Sequence, residues 1–128
     1  MKGKQRFFIC NLCKNMIGLI EDKGGPITCC GEKIIELVPN TVDASNEKHL
    51  PEVTISGDII KVQVGSVLHP MTEEHYIPFI YVEAENGGQR KILKPGDEPV
   101  AEFSFVNDKP IAVYEYCNLH GLWKTEIN

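Results

Sequence analysis

Val53-Thr54-Ile55-Ser56-Gly57-Asp58-Ile59-Ile60-Lys61-Val62-Gln63-Val64 sets the architecture of most of this chain. A run rich in β-branched residues reaches Gly57-Asp58, a dipeptide suited to a tight turn. Ile60, Val62 and Val64 then alternate with Lys61 and Gln63, the period of a strand with one face on a core. The same period returns downstream. Beyond His75, Ile77, Phe79 and Tyr81 fall on one face, with Ile80 and Val82 on the other. Phe103 and Phe105 alternate with Glu102 and Ser104, and Ile111 to Tyr116 forms a further strand. Asn86-Gly87-Gly88 and Lys94-Pro95-Gly96-Asp97 supply turns. Short strands at regular spacing with turns between them predict a mainly β chain, an antiparallel β-sandwich from Glu52 onward. The sequence shows neither an internal repeat nor the periodicity of a long helix.

Upstream the pattern changes. Residues 1–37 carry Cys10-x2-Cys13 and the vicinal pair Cys29-Cys30, with Gly24-Gly25-Pro26 between them. A segment below roughly 40 residues seldom holds itself together by a core alone. A metal closing the loop between Cys13 and Cys29 is therefore expected. Val38-Pro39-Asn40-Thr41 and Asp43-Ala44-Ser45-Asn46 read as linker and loop, dividing the chain into residues 1–37 and residues 38–128.

Composition narrows the classes of function. A formal charge of -5 lacks the basic footprint that nucleic-acid binding requires. No apolar run approaches bilayer length, and Phe7-Phe8-Ile9 is too short for a signal-peptide core. The expected location is the cytoplasm, away from membranes. An odd count of 5 cysteines in a reducing compartment favours metal ligation over a disulfide scaffold.

The four front cysteines supply the thiolates that tetrahedral zinc or iron prefers. Adjacent side chains normally point apart, so holding one ion through both Cys29 and Cys30 demands a contorted backbone. Spacing leaves a zinc staple and a redox-active iron both open. The rear of the chain has a different donor set. Its segments are Glu47-Lys48-His49-Leu50-Pro51, His69-Pro70-Met71, Glu74-His75-Tyr76-Ile77 and Cys117-Asn118-Leu119-His120-Gly121-Leu122-Trp123. A lone histidine is more often a surface or satisfied core residue than a ligand. Cys117 and His120, however, stand at a strand end with a spacing that lets both reach one ion. On their own terms Lys48 is a solvated loop lysine, Glu47 an acidic loop residue and Glu115 an exposed strand glutamate.

Two other classes compete. A blue-copper carrier would pair a β-sandwich with Cys117 and His120, but such sites usually want a methionine soon after the last histidine. Met1, Met16 and Met71 all precede it. A non-catalytic zinc protein using the front cysteines as a partner interface leaves the rear histidine segments without a role.

Taken together, these segments resemble the two-iron superoxide reductases, or desulfoferrodoxins, and the front resembles desulforedoxin with its Cys-x2-Cys and Cys-Cys pairs. The resemblance covers nearly the whole chain. It rests on Glu-Lys-His-x-Pro, His-Pro-Met, Glu-His-x-Ile and Cys-Asn-x-His-Gly-x-Trp. It implies a small desulforedoxin-like, metal-stapled domain followed by an immunoglobulin-like antiparallel β-sandwich, with two iron ions per chain. One iron would sit on Cys10, Cys13, Cys29 and Cys30. The other would take His49, His69, His75 and His120 equatorially and Cys117 axially, leaving a sixth position open, with His120 binding through Nδ1. The implied activity is one-electron reduction of superoxide to hydrogen peroxide without oxygen evolution. By the same resemblance Lys48 guides the anion and organises a protonating water, and Glu47 closes the sixth position in the ferric state. Glu115, two residues before Cys117 and so on the same strand face, is read from that spacing as an outer group behind the thiol. A small electron carrier such as rubredoxin and a second copy of the chain in a homodimer are the implied partners. Pro78-Phe79 departs from the family, which has a polar residue and tryptophan there; this touches packing near His75 and no ligand.

Overall fold

The structure, a computed structural model, describes residues 2–128. The elements in chain order are β1 (Phe7–Ile9), β2 (Met16–Gly18), β3 (Thr28–Cys29), β4 (Glu32–Lys33), β5 (Ile35–Leu37), α1 (Asn46–His49), β6 (Pro51–Ser56), β7 (Ile59–Val64), β8 (Phe79–Ala84), β9 (Gly87–Ile92), β10 (Val100–Ser104), β11 (Pro110–Cys117) and β12 (Gly121–Glu126). They fall into two compact units, Lys4–Val38 and Pro39–Asn128, the latter including the stretch at Gly3.

In the smaller unit β1 is central, pairing antiparallel with β2 and β5, while β3 and β4 form a two-stranded ladder with Cys29 opposite Glu32. Its buried apolar groups are Phe7, Phe8, Cys10 and Ile34; Leu12, Ile20 and Ile35 stay exposed. The Arg6 guanidinium grips Glu36 through two bonds of 2.8 and 2.7 Å and also pairs with Asp22.

The larger unit has a three-stranded sheet, β10-β7-β6, and a four-stranded sheet, β12-β11-β8-β9. The hairpin read from residues 53 to 64 is present. Ser56 pairs with Ile59 across Gly57-Asp58, and Gly57 takes φ 59°, a left-handed value that glycine adopts without a Cβ penalty. Ile60, Val62 and Val64 point inward and meet Phe103 from β10, Ile80, Val82 and Ala84 from β8, and Val113 and Cys117 from β11. Each such side chain taken out of water contributes roughly 1.5–3 kcal/mol. Cys117 thus belongs to the core as well as to the donor set.

Two sequence expectations shift. Ile77 joins the core with Ile80 and Val82 rather than sharing the face of Phe79 and Tyr81. The pleat begins only at Phe79, after Pro78, whose missing N–H cannot serve a ladder. The β8–β9 turn is Glu85-Asn86, since Ala84 pairs with Gly87 and both glycines lie in β9. Gly88 is needed there because the Tyr81 phenol occupies the place of a Cβ. No helix among the described residues is long and apolar enough to cross a membrane.

Candidate metal centres

In the smaller unit the tight turn after β1 brings Cys10 and Cys13 together. The Lys14 N–H donates to the Cys10 carbonyl at 3.0 Å, and Lys14 takes φ 66°. Backbone N–H groups of Cys13 and Asn15 point at the sulfurs of Cys10 and Cys13, at 3.5 and 3.4 Å. The vicinal pair answers from β3. Cys30 adopts φ 54°, the left-handed backbone that turns its Sγ to the same side as that of Cys29. All four sulfurs lie within 4.8 Å of one another. Cys13 Sγ and Cys29 Sγ are 3.6 Å apart, and Cys29 Sγ and Cys30 Sγ 4.0 Å, well beyond the roughly 2.05 Å of a disulfide. The Cys13 N–H pulls the Cys10 thiol down to about 6, whereas the hydrogen bond with Cys10 pushes Cys29 up to about 12. Crowded thiols that cannot all ionise alone are what a soft cation resolves.

In the larger unit the ligands hang from ends of core strands. α1 is one turn long; Leu50, ahead of Pro51, is forced to ψ 125°, which ends the helix at His49. The Glu47 carbonyl accepts from the Val67 N–H at 2.9 Å and the Ser66 hydroxyl at 3.2 Å. A Cβ on Gly65 would stand 2.6 Å from that carbonyl oxygen, so only glycine permits this approach. His69 hangs from the end of β7, its N–H bound to the Val64 carbonyl at 2.8 Å. His75 closes a turn on Thr72. Cys117 ends β11, and Asn118, Leu119 and His120 form the loop to Gly121, which takes φ 83°.

The four imidazoles close a ring. Consecutive centroids are 4.8 Å (His49–His69), 4.6 Å (His69–His75), 5.1 Å (His75–His120) and 4.9 Å (His120–His49), each pair edge to face. Donor atoms of His49, His69, His75 and Cys117 lie within 4.8 Å of one another. His120 completes the set, its Nδ1 being 3.1 Å from His49 Nε2 and 3.7 Å from Cys117 Sγ. Nitrogen choice follows from outer partners. His49 Nδ1 donates to the Ser45 carbonyl at 2.6 Å and His69 Nδ1 to the Pro70 carbonyl at 2.7 Å, which leaves each Nε2 lone pair facing the ring. His69 Nε2 and His75 Nε2 are buried without a hydrogen-bond partner, a cost that a bound cation removes. Burial holds His69 at about 4 and depresses His49 and His75, so these imidazoles are neutral and ready to ligate. Burial pushes the Cys117 thiol up, against N–H groups of Leu119 and His120. A cation in the ring is what makes it a thiolate. The blue-copper alternative fails here: four histidines converge, and Met71 is turned to the core, where its Sδ accepts the Ile77 N–H at 3.4 Å.

The remaining candidates separate. Glu47 and Lys48 precede His49 on α1 and face solvent, and the Lys48 charge adds to the depression of His49 and His75. Glu115 is not an exposed strand residue. It is fully buried between Val113 and Cys117 on the inner face of β11, its carboxyl oxygens unpartnered and its pKa raised well above the usual range by burial.

Comparison with known proteins agrees with this pair of donor sets. The family model for desulfoferrodoxin matches residues 41–126. The chain belongs to the desulfoferrodoxin family. It is 44% identical over 126 residues to a desulfoferrodoxin of Syntrophotalea carbinolica, covering 98% of this chain and 99% of that one. It is 42% identical over 126 residues to the desulfoferrodoxin of Nitratidesulfovibrio vulgaris, with 98% and 99% covered. Among solved structures, the superoxide reductase from Treponema pallidum matches with a TM-score of 0.81 at 37% identity, covering 97% of this chain and all 100% of that chain.

Two residues of this desulfoferrodoxin's tail carry more than the ligand pattern suggested. Trp123 stacks on His49 at 4.9 Å and 22°, and its indole N–H donates to the His120 carbonyl at 3.1 Å. Asn118 bonds to the loop holding His75. Both stand in the quoted motif, which was the available signal. The carbonyls of Ser45 and Pro70 gave none, because a backbone acceptor has no side-chain identity to read.

Proposed function

We propose that this desulfoferrodoxin is a superoxide reductase with two iron centres per chain, converting superoxide, one electron and two protons to hydrogen peroxide without releasing oxygen. The observation that carries the reading is the closed ring of four imidazoles with a buried thiol beside it. His49, His69, His75, His120 and Cys117 would hold the catalytic iron, and Cys10, Cys13, Cys29 and Cys30 the other, in domains of residues 38–128 and 1–37. The iron supplies the one-electron reduction. Four neutral imidazoles and one thiolate leave a divalent ion with a charge of about +1, enough to draw a small anion to a chain that is acidic overall. Lys48 adds to this field and organises the water that protonates the product. Glu47, beside it, would supply a carboxylate able to bind the oxidised iron. Glu115 places a neutral carboxyl behind the thiolate. A small electron carrier such as rubredoxin donates the electron, the chain pairs as a homodimer, and the protein works in the cytoplasm.

The test is metal analysis with a visible spectrum during stepwise oxidation, followed by superoxide kinetics on the reduced protein. Two irons per chain and two successive charge-transfer bands are expected, with peroxide formed and no oxygen. Cys117→Ser should abolish superoxide reduction and the second band while leaving the front spectrum intact. A Cys117→Ser protein with near-normal rates would sink the assignment.

A further inference from the structure

We propose that Asn118 is the positioning residue that sets His75 in the ligand ring, an inference that rests on reading His75 and Cys117 as ligands of one iron. Asn118 directly follows the thiol and brackets His75 through three hydrogen bonds. Its Nδ2 donates to the Glu74 carbonyl at 3.0 Å, its Oδ1 accepts the Tyr76 N–H at 2.9 Å, and its own N–H donates to the Tyr76 carbonyl at 3.2 Å. Both chain neighbours of His75 are therefore tied to the end of β11.

Two of the other rings have direct supports. His49 is held by the Ser45 carbonyl and by Trp123, and His69 by the Pro70 carbonyl. Among the described residues no hydrogen bond fixes the His75 ring itself. Its backbone bonds run to Thr72, within the same loop: the Thr72 N–H donates to the His75 carbonyl at 3.0 Å, and the His75 N–H donates to Thr72 Oγ1 at 3.1 Å. Those bonds shape the turn without relating it to Cys117. Asn118 supplies that relation beside His75, two of the three bonds coming from its side chain and one from its backbone N–H. An amide suits the task because one end donates while the other accepts. Aspartate keeps the bond from Tyr76 and loses the one to Glu74; alanine loses both side-chain bonds. Asn118 is exposed, so its replacement costs the core nothing.

The experiment competes Fe(II) anaerobically between the full-length protein and a chromophoric chelator, and records the charge-transfer band of the rear centre after oxidation. Outer-sphere partners of metal ligands typically contribute 10- to 100-fold in metal affinity. Asn118→Ala should weaken rear-centre iron by about that factor and shift its band, with the front spectrum and the melting temperature of the iron-free sandwich unchanged. Asn118→Asp should lose less, and carries the test if the alanine variant fails to fold. In a His75→Ala background, Asn118→Ala should add no further loss. Unchanged affinity and band in Asn118→Ala, or a full additional loss in the His75→Ala background, would overturn the positioning role. Wild-type protein that takes up no second iron would instead overturn the reading of the centre itself.

Discussion

The two units hold their donor groups by opposite means. Between Lys4 and Val38 the buried apolar groups are Phe7, Phe8, Cys10 and Ile34, and two of the four thiols, Cys13 and Cys30, are exposed. Such a segment buries too little to offset the conformational entropy of ordering its chain. In the sandwich, Cys117 and the strand end that anchors His69 are set among residues with no exposure, such as Val62, Val64, Ile80 and Val113. The ligands of the rear centre are thus set by a scaffold that exists without iron. Those of the front centre are expected to depend on the iron for their order. On this reading metal is part of the fold in one unit and a guest in the other.

The largest effect that could break this contrast is metal removal. Structural metal sites in small peptides carry on the order of 10 kcal/mol of folding free energy. Stripping both irons should abolish amide-exchange protection in β1, β2 and β5, while β7, β8 and β11 stay protected. If the front strands remained protected after chelation, the unit would have a core of its own and the contrast would fall. The complementary change is Phe103→Ala. Phe103 is 2% exposed and central to the sandwich, so its truncation should cost about 3–5 kcal/mol. A melting curve of the sandwich would register that loss, and the visible spectrum of the front centre should not change. A front spectrum lost along with sandwich stability would show the units to be one cooperative system.

The contrast also explains what the residues revealed in advance. The alternation at Ile60, Val62 and Val64 was legible because one buried face imposes period two whatever lies opposite. The convergence of Cys10, Cys13, Cys29 and Cys30 was legible because a coreless segment has few other uses for four thiols. α1 was hidden. Asp43 to Asn46 read as loop, and one helical turn without a side-chain cap at Ser45 leaves little local signal. What fixes it is distant in sequence: Pro51 ending it, and Gly65, Ser66 and Val67 seated on the Glu47 carbonyl. The burial of Glu115 was hidden for a related reason. Its place two residues before Cys117 put it on the cysteine's strand face, but a carboxyl on an inner face runs against the usual exposure of a strand glutamate.

A smaller effect tests whether the rear unit acts on superoxide at a distance. Lys48 is the cation on the helical turn that ends in His49. Lys48→Ile should slow the encounter with superoxide on the order of tenfold at low salt and flatten its ionic-strength dependence. The ligand ring should keep its spectrum. Kinetics following a pulse of superoxide at several salt concentrations would decide; an unchanged salt profile would remove Lys48 from steering.

The smallest effect belongs to the front unit and asks how much of it holds without metal. Arg6 lies between Glu36 and Asp22, and its guanidinium keeps both carboxyls below their usual range, with the Gly24 N–H the larger cause for Asp22. A carboxylate with a depressed folded pKa stabilises above its unfolded value and loses that contribution as pH falls through the folded one. All three side chains are substantially exposed, so solvent and salt screen the pair and the contribution is modest. Arg6→Met should therefore speed iron loss from the front centre to a chelator slightly at neutral pH. The gap from wild type should narrow in 1 M salt and close as pH drops below the carboxylate range. A gap that held constant into strong acid would assign the role of Arg6 to its guanidinium over Phe8, 5.2 Å from the ring centre, and not to its ion pairs.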